Sequence, residues 1–195
     1  ATRQILDDFQ GLEGYIRSSL VYAVQKEVED QILLGDNTGQ NLNGLVTQAT
    51  SFNTGLLVAA AGWGYDDMVG RAIQQLEIAS ESEADFIALH PTAWWSMRMK
   101  KDSTGQYIYG NPATGEGSFT IFGLRPIKSL ALSATQFLVG SSSPVDSLIR
   151  SRMALEVEIS TEHSDYFIKN MVAIRIEERL TLAVYRAAAF ITGSL

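Results

Sequence analysis

Cysteine is absent from the 195 residues of this chain, which excludes disulfide bonds and thiolate chemistry. Only two histidines occur, His90 and His163, so a transition-metal site has little support. No apolar run approaches the roughly 18 residues that a membrane span needs. The catalytic motifs G-x-S-x-G and H-E-x-x-H and the glycine-rich phosphate loop are missing as well. The sequence therefore predicts no cofactor, no metal and no membrane contact.

Positive charge is also scarce. The chain carries 15 lysines and arginines against 22 acidic residues, for a net charge of −7, and no basic stripe is present. Specific binding to nucleic acid is not expected, because it depends on clustered basic residues. With 46% hydrophobic and 19% charged residues, the composition is that of a folded protein, and the length allows one domain or two small ones.

A long amphipathic segment occupies residues 9–34. Its apolar residues recur every three or four positions, which predicts one helix with an apolar stripe that drifts around the axis. Asp8 is the expected N-cap, and Gly35 is the expected glycine at the C-terminal end. The stripe consists of Phe9, Leu12, Ile16, Leu20, Val24, Val28 and Ile32.

The next stretch, GDNTGQNLNGL over residues 35–45, begins like a calcium-binding loop. Thr38 and Gln40 stand where oxygen ligands are required, and Thr47 stands where a glutamate is required. The calcium series therefore fails, and we interpret the stretch as a structured turn.

The middle of the chain mixes helices and strands. Residues 102–118, DSTGQYIYGNPATGEGS, form a long loop, and we expect it to be exposed. Helices are predicted over 65–80 and from Pro91 onward. His90 precedes that proline and is interpreted as a structural residue. Strands are predicted at 84–91, 119–122, 125–130 and 136–140.

Period-two patterns dominate the C-terminal part. In FIKNMVAIRIEERLTLAVYR, residues 167–186, apolar residues occupy alternate positions, which predicts a long strand despite the helix-favouring composition. Glu178 shares the apolar face, whereas Glu177 falls on the other face with Arg175 and Arg179. Residues 153–162 alternate in the same way and predict a partner strand. A long helix with two long strands leaves much apolar surface uncovered, which is typical of a subunit in an assembly.

These features, in this order, resemble the major capsid proteins of tailed bacteriophages, of the Hong Kong 97 type. The stretch LDDFQGLEGYIRSSLVYAVQKEVEDQILLGDNTG is similar to the spine helix of that family and the Gly-Asp turn after it. ADFIALHPTAWWSMRMKKDSTGQYI resembles its strand and helix before a glycine-rich loop. FIKNMVAIRIEERLTLAVYRAAAFITG resembles its C-terminal strands.

The resemblance implies an α+β fold with two domains. Residues 1–45 and 151–195 would form a peripheral domain, in which the spine helix lies on long antiparallel strands. Residues 46–150 would form an axial domain, a mixed sheet with flanking helices. The implied function is structural: a head subunit of a tailed phage or prophage that self-assembles through hexamers and pentamers into an icosahedral, DNA-containing shell.

The resemblance also implies partners and a location. A portal and a scaffold or maturation protease would act with the subunit, which would be made in the bacterial cytoplasm and end in the virion. The family carries an N-terminal arm and an extended hairpin loop before the matching region. We therefore expect the sequence to be part of a longer chain.

Some members of the family cross-link their subunits. A lysine on the hairpin loop of one subunit attacks an asparagine of another and releases ammonia, while a glutamate seven residues after the asparagine takes the lysine proton. The matching positions are Asn170, in K-N-M, and Glu177, and an apolar surrounding would make the carboxylate a better base. In the alternative interpretation, Asn170 caps a turn and Glu177 pairs with Arg175 or Arg179 of neighbouring chains.

Two further functions remain open from the sequence. One is a cytoplasmic α+β enzyme that uses carboxylates of the 102–118 loop. The other is a binding module for another phage or host protein. Closed shells formed by the full-length chain would favour the capsid function, whereas a small fixed oligomer would favour either alternative.

Overall fold

The computed structural model describes residues 11–56, 64–80, 82–110, 120–162 and 165–194. Its helices are α1 (Leu12–Leu34), α2 (Leu45–Gln48), α3 (Tyr65–Ser80) and α4 (Pro91–Arg98). Its strands are β1 (Thr50–Ser51), β2 (Phe86–Leu89), β3 (Arg125–Lys128), β4 (Gln136–Gly140), β5 (Ser147–Ser160), β6 (Ala173–Val184) and β7 (Phe190–Ser194). Within these ranges, no helix combines the length and apolar character needed to cross a membrane.

The chain divides into two compact units. The first unit contains α1 up to Asp30 together with Ile149–Thr181, and the second unit contains Gln31–Leu148 and Leu182–Leu195. These boundaries differ from the predicted ones at 45 and 150. In particular, β7 lies in the sheet of the second unit, because it pairs with β4 along its whole length. The division into a peripheral and an axial domain stays a prediction.

A mixed five-stranded sheet, of order β1-β7-β4-β2-β3, forms the centre of the second unit. β4 runs antiparallel to both β2 and β7, while the edge strands β3 and β1 run parallel to their neighbours. Alternation along β4 directs Phe137 and Val139 to one face and Leu138 to the other, and all three are fully buried. The sheet is therefore covered on both faces, as a closed core requires.

Helix α3 covers one of these faces, and its position matches the predicted range 65–80. The carboxylate of Asp67 accepts the N–H of Gly64 at 3.0 Å, which satisfies a donor at the helix start. Asp66 and Asp67 also place negative charge at the positive end of the helix dipole. Val69, Ala72 and Leu76, at spacings of three and four, are completely buried against the sheet.

Helix α4 begins as the sequence predicts. His90 is its N-cap: the ring Nδ1 accepts the N–H of Thr92 at 3.2 Å, and Pro91 occupies the first turn. His90 is thus a structural residue. His163 lies outside the described residues.

The strand predicted at 119–122 is wrong over the described residues. Phe122 and Gly123 have φ values of 50° and 82°, so two successive residues adopt the left-handed conformation. A single bridge joins Ile121 to Leu124 across them. Two left-handed residues in succession make a tight reversal, and the strand β3 starts only after it, at Arg125.

The first unit contains α1 and a two-stranded sheet of β5 and β6, here called the ribbon. The predicted C-terminal strand is confirmed over Ala173–Val184, and the helix is confirmed over Leu12–Leu34. Asp8 and Phe9 lie outside the described residues. Glu158 bonds to Arg175, while the carbonyl of Asp146 accepts the N–H of Tyr185. Across these two contacts the residue number rises from 146 to 158 on one side and falls from 185 to 175 on the other, so the two strands are antiparallel.

This first unit has almost no enclosed core of its own. Among its described residues only Val172 is buried. The apolar stripe of α1 and the apolar face of the ribbon are both half-buried, and we expect them to pack on each other, as the sequence predicts. A two-stranded sheet is marginally stable by itself. Four large side chains of the unit are at least 69% exposed: Tyr15, Tyr22, Phe167 and Ile168.

Gly35 follows α1 directly, as predicted, but close packing rather than a left-handed backbone requires it. A Cβ at position 35 would lie 2.2 Å from the carbonyl oxygen of Leu42 and 2.6 Å from that of Gln31. Both atoms belong to the backbone and have little room to move. The helix end and the following turn therefore meet at this glycine.

Gly35→Ala should lower the free energy of unfolding by about 3 kcal/mol, because the added methyl group overpacks two backbone segments. Thermal unfolding followed by circular dichroism measures the loss. The matched control is Gly14→Ala in α1, where a Cβ would meet nothing within 4 Å; it should stabilise the chain by about 0.5–1 kcal/mol. Equal melting temperatures for the two variants would contradict this reading of the turn.

Candidate functional site

Asn170 closes a short helical turn over residues 165–170. The N–H of Met171 donates to the carbonyl of Tyr166 at 2.8 Å, and the N–H of Asn170 donates to that of Phe167 at 3.4 Å. With a φ of 52° at Asn170, these bonds form the cap in which a left-handed residue ends a helical turn. Asparagine tolerates this conformation better than most side chains. The backbone of Asn170 thus has a capping role, and its side chain is exposed.

Glu177 lies on the exposed face of β6. Burial alternates along this strand: Ile174 and Ile176 are half-buried, whereas Arg175 and Glu177 are exposed. Glu178 is half-buried and lies on the apolar side. The two successive glutamates therefore face opposite ways, as the period-two pattern predicts.

Arg175 lies between two carboxylates. One guanidinium nitrogen is 2.5 Å from Oε2 of Glu158 across the ribbon, and the other is 3.5 Å from Oε1 of Glu177 on the same strand. The hydrogen bond to Glu158, followed by the charges of Glu158 and Glu177, raises the pKa of Arg175. Glu177 thus lies beside an arginine of its own chain, Arg175.

Asn170 and Glu177 are not joined by any hydrogen bond in the described part of the chain. Asn170 ends the turn that precedes β6, and Glu177 is the fifth residue of that strand. The four steps from Ala173 to Glu177 span about 13 Å. Glu177 also has a charged neighbour, Arg175, instead of the apolar surroundings expected of a base.

Sequence reasoning missed the two residues beside Asn170 that are most exposed. Phe167 and Ile168 are 84% and 85% exposed, although both are large and apolar. Their exposure could have been predicted from the sequence, because two adjacent large apolar residues stand before the start of the period-two pattern. They give the turn that Asn170 closes an exposed apolar surface, and such surfaces mark contacts with other molecules.

The calcium-like stretch is a turn that satisfies its own carboxylate. One oxygen of Asp36 accepts the N–H of Thr38 at 3.0 Å and the side-chain amide of Asn41 at 2.8 Å, and the Thr38 hydroxyl donates as well. The Asn41 amide first, then the Thr38 hydroxyl and N–H, lower the pKa of Asp36 from 3.8 to about 2. No cluster of three acidic or histidine side chains suited to a metal occurs among the described residues.

The 102–118 loop has a similar internal arrangement where it is described. The carboxylate of Asp102 accepts the N–H and hydroxyl of Thr104 and the N–H of Gln106, and the pKa of Asp102 is lowered mainly by Thr104. Residues 102–106 are exposed, as predicted. A carboxylate held by its own turn is poorly suited to general-base chemistry. Residues 111–118 lie outside the described part.

The fold is that of a virus-type shell protein. The chain superimposes over its full length on the capsid of an empty GTA particle, with a TM-score of 0.79 at 16% identity and 70% of that chain covered. A protein of Microbacterium phage Oxtober96 gives a TM-score of 0.78 at 16% identity, with 69% of that chain covered. A virus-like particle from Pyrococcus furiosus gives 0.56 at 10% identity over 86% of this chain and 62% of that one. The predicted α+β capsid fold is confirmed.

The chain belongs to the phage capsid family, whose profile matches residues 1–195. It is 39% identical over 194 residues to the major capsid protein of Enterobacteria phage HK97, and it spans 49% of that protein. The resemblance stated from the sequence is thereby confirmed.

The pKa of Asp36 predicts a pH dependence of stability. Because the pKa is lowered on folding, the ionised carboxylate stabilises the turn above the unfolded value of 3.8, and this contribution is lost as the pH falls toward about 2. Asp36→Asn should therefore flatten the acid limb of the unfolding free energy between roughly pH 4 and pH 2. An NMR titration of the wild-type carboxyl that gave an ordinary midpoint near 3.8 would refute the prediction.

Proposed function

We propose that this chain is the shell-forming region of a phage major capsid protein, which assembles with copies of itself through hexamers and pentamers into an icosahedral head. Membership of the phage capsid family supports the proposal. The observation that carries it is the first unit, where only Val172 is buried among the described residues. When a second chain covers apolar surface that one chain leaves exposed, the burial stabilises the association of the two chains.

Further partners are proposed from the resemblance. A portal and a scaffold or maturation protease would act with the subunit during head assembly, and the finished protein would reside in the virion. The charge of the chain agrees with a DNA container, because a net −7 without a basic stripe gives the inner wall little affinity for phosphate. Specific nucleic-acid binding is not part of the proposal.

We also propose that shells of this protein are covalently cross-linked at Asn170. The amine of a lysine from another subunit forms a bond to the side-chain carbonyl carbon of Asn170, and the bond from that carbon to Nδ2 breaks. Glu177 accepts the proton that the lysine loses, and the proton leaves with the departing ammonia. The exposed amide, held in place by a capped turn, and the exposed carboxylate support these roles.

Because Asn170 and Glu177 lie apart in one chain, the proposed site requires a second subunit. No hydrogen bond joins the two side chains among the described residues, and Glu177 lies four residues into β6. In the proposed site another subunit supplies the lysine and completes the surroundings of Glu177. Burial by that subunit would remove water from the carboxylate and the amine, which favours the neutral, nucleophilic form of lysine. The exposed Phe167 and Ile168 are suitably placed to take part in that burial.

The full-length chain should form closed particles that electron microscopy detects. Denatured particles should then give a ladder of covalent oligomers on a gel, because each cross-link joins two subunits. A small fixed oligomer in place of particles would contradict the shell function. A single monomer band from mature particles would leave Asn170 and Glu177 as structural residues only.

A set of substitutions distinguishes loss of the cross-linking reaction from damage to the turn at Asn170. Asn170→Gly keeps the left-handed cap but removes the amide, so particles should form without a ladder. Asn170→Asp and Glu177→Ala should also abolish the ladder. Glu77→Gln, an exposed change in α3 of the second unit, is the matched control and should leave the ladder intact.

A further inference from the structure

The exposed face of the ribbon carries carboxylates and guanidinium groups, and Arg175 lies among three of the carboxylates. Glu156 and Glu158 on β5 and Glu177 on β6 are all exposed, and Arg175 pairs with two of them. Glu156 has no hydrogen bond or ion pair within the described residues. Arg152 of β5 and Arg179 of β6 are exposed on the same face, which therefore carries charges of both signs.

Arg175 is engaged unequally by its two partners. Its contact with Glu158 is 2.5 Å and lies within hydrogen-bond distance, whereas its contact with Glu177 is 3.5 Å and does not make a hydrogen bond. The antiparallel register explains the difference, because Glu158 lies across the ribbon from Arg175 while Glu177 lies two residues along the same strand. Glu158 thus takes the closer of the two contacts of the guanidinium, and Glu177 takes the longer one.

We propose that Glu158 is a positioning residue for the cross-linking reaction: it retains Arg175 and so leaves the carboxylate of Glu177 available to the lysine of a second copy. The inference rests on the proposed function, in which Glu177 accepts the lysine proton. A carboxylate in a close pair with a guanidinium is a weaker proton acceptor, because the pair stabilises its ionised form. Loss of Glu158 would let Arg175 close on Glu177.

The prediction has a definite sign. In full-length particles, Glu158→Gln should slow the appearance of the covalent ladder by about two- to fivefold, the range that corresponds to a surface ion pair. The double variant Glu158→Gln/Arg175→Gln should return to the wild-type rate, because Arg175, the guanidinium that contacts Glu177 in the structure, is then absent. A structural defect in the ribbon would not be rescued by removing a second side chain.

Ionic strength provides an independent readout. The pairs are exposed in the single chain, so raising the salt from about 0.05 M to 0.5 M during assembly, before a second copy covers the site, should screen Arg175 from Glu177 and relieve the defect of Glu158→Gln. Glu77→Gln, an exposed change in α3 of the second unit, is the matched control and should keep the wild-type rate at both salt concentrations. Microscopy establishes beforehand that each variant forms particles.

The outcomes distinguish this inference from the proposed function. If wild-type particles give no ladder, the cross-linking function itself fails. If they give a ladder and Glu158→Gln matches the wild-type rate, the positioning role of Glu158 is overturned. A slow Glu158→Gln variant that neither high salt nor Arg175→Gln restores would overturn it as well.

Discussion

Burial of apolar surface is the interaction on which this chain depends, and it is distributed unequally. The second unit encloses its apolar residues on both faces of a five-stranded sheet, where Leu76, Phe137 and Ile191 are completely inaccessible. The first unit has a long helix and a ribbon whose apolar faces are only half-buried. One unit therefore resembles a complete domain, and the other resembles part of an interface.

The candidate site belongs to the incompletely buried part. Asn170 lies in a capped turn, so its backbone is fixed while its amide faces solvent. Glu177 lies on a charged face where Arg175 and Glu158 are its neighbours. The charges of such a site interact weakly while the site is open to water, because solvent screens them. Coverage by another subunit would give the same residues a low-dielectric surrounding, which links the proposed chemistry to assembly.

Local patterns predicted the regular elements well. Helix α3 was predicted over its full range because acidic residues and a three-four spacing coincide, and β6 was predicted because its alternation outweighs its helix-favouring composition. The reversal at Phe122 was missed because a left-handed phenylalanine leaves no sequence signal. The pairing of Arg175 with Glu158 was missed for another reason: it depends on the register between two strands, which neither strand encodes alone.

The central claim is that a neighbouring subunit covers the exposed part of the first unit. A cryo-electron microscopy map of particles formed by the full-length chain, at a resolution that shows side chains, tests it most directly. The account predicts that Phe167 and Ile168, now 84% and 85% exposed, are buried against another subunit and that Asn170 lies at the same contact. A map in which this turn remains open to solvent on every subunit would contradict the account.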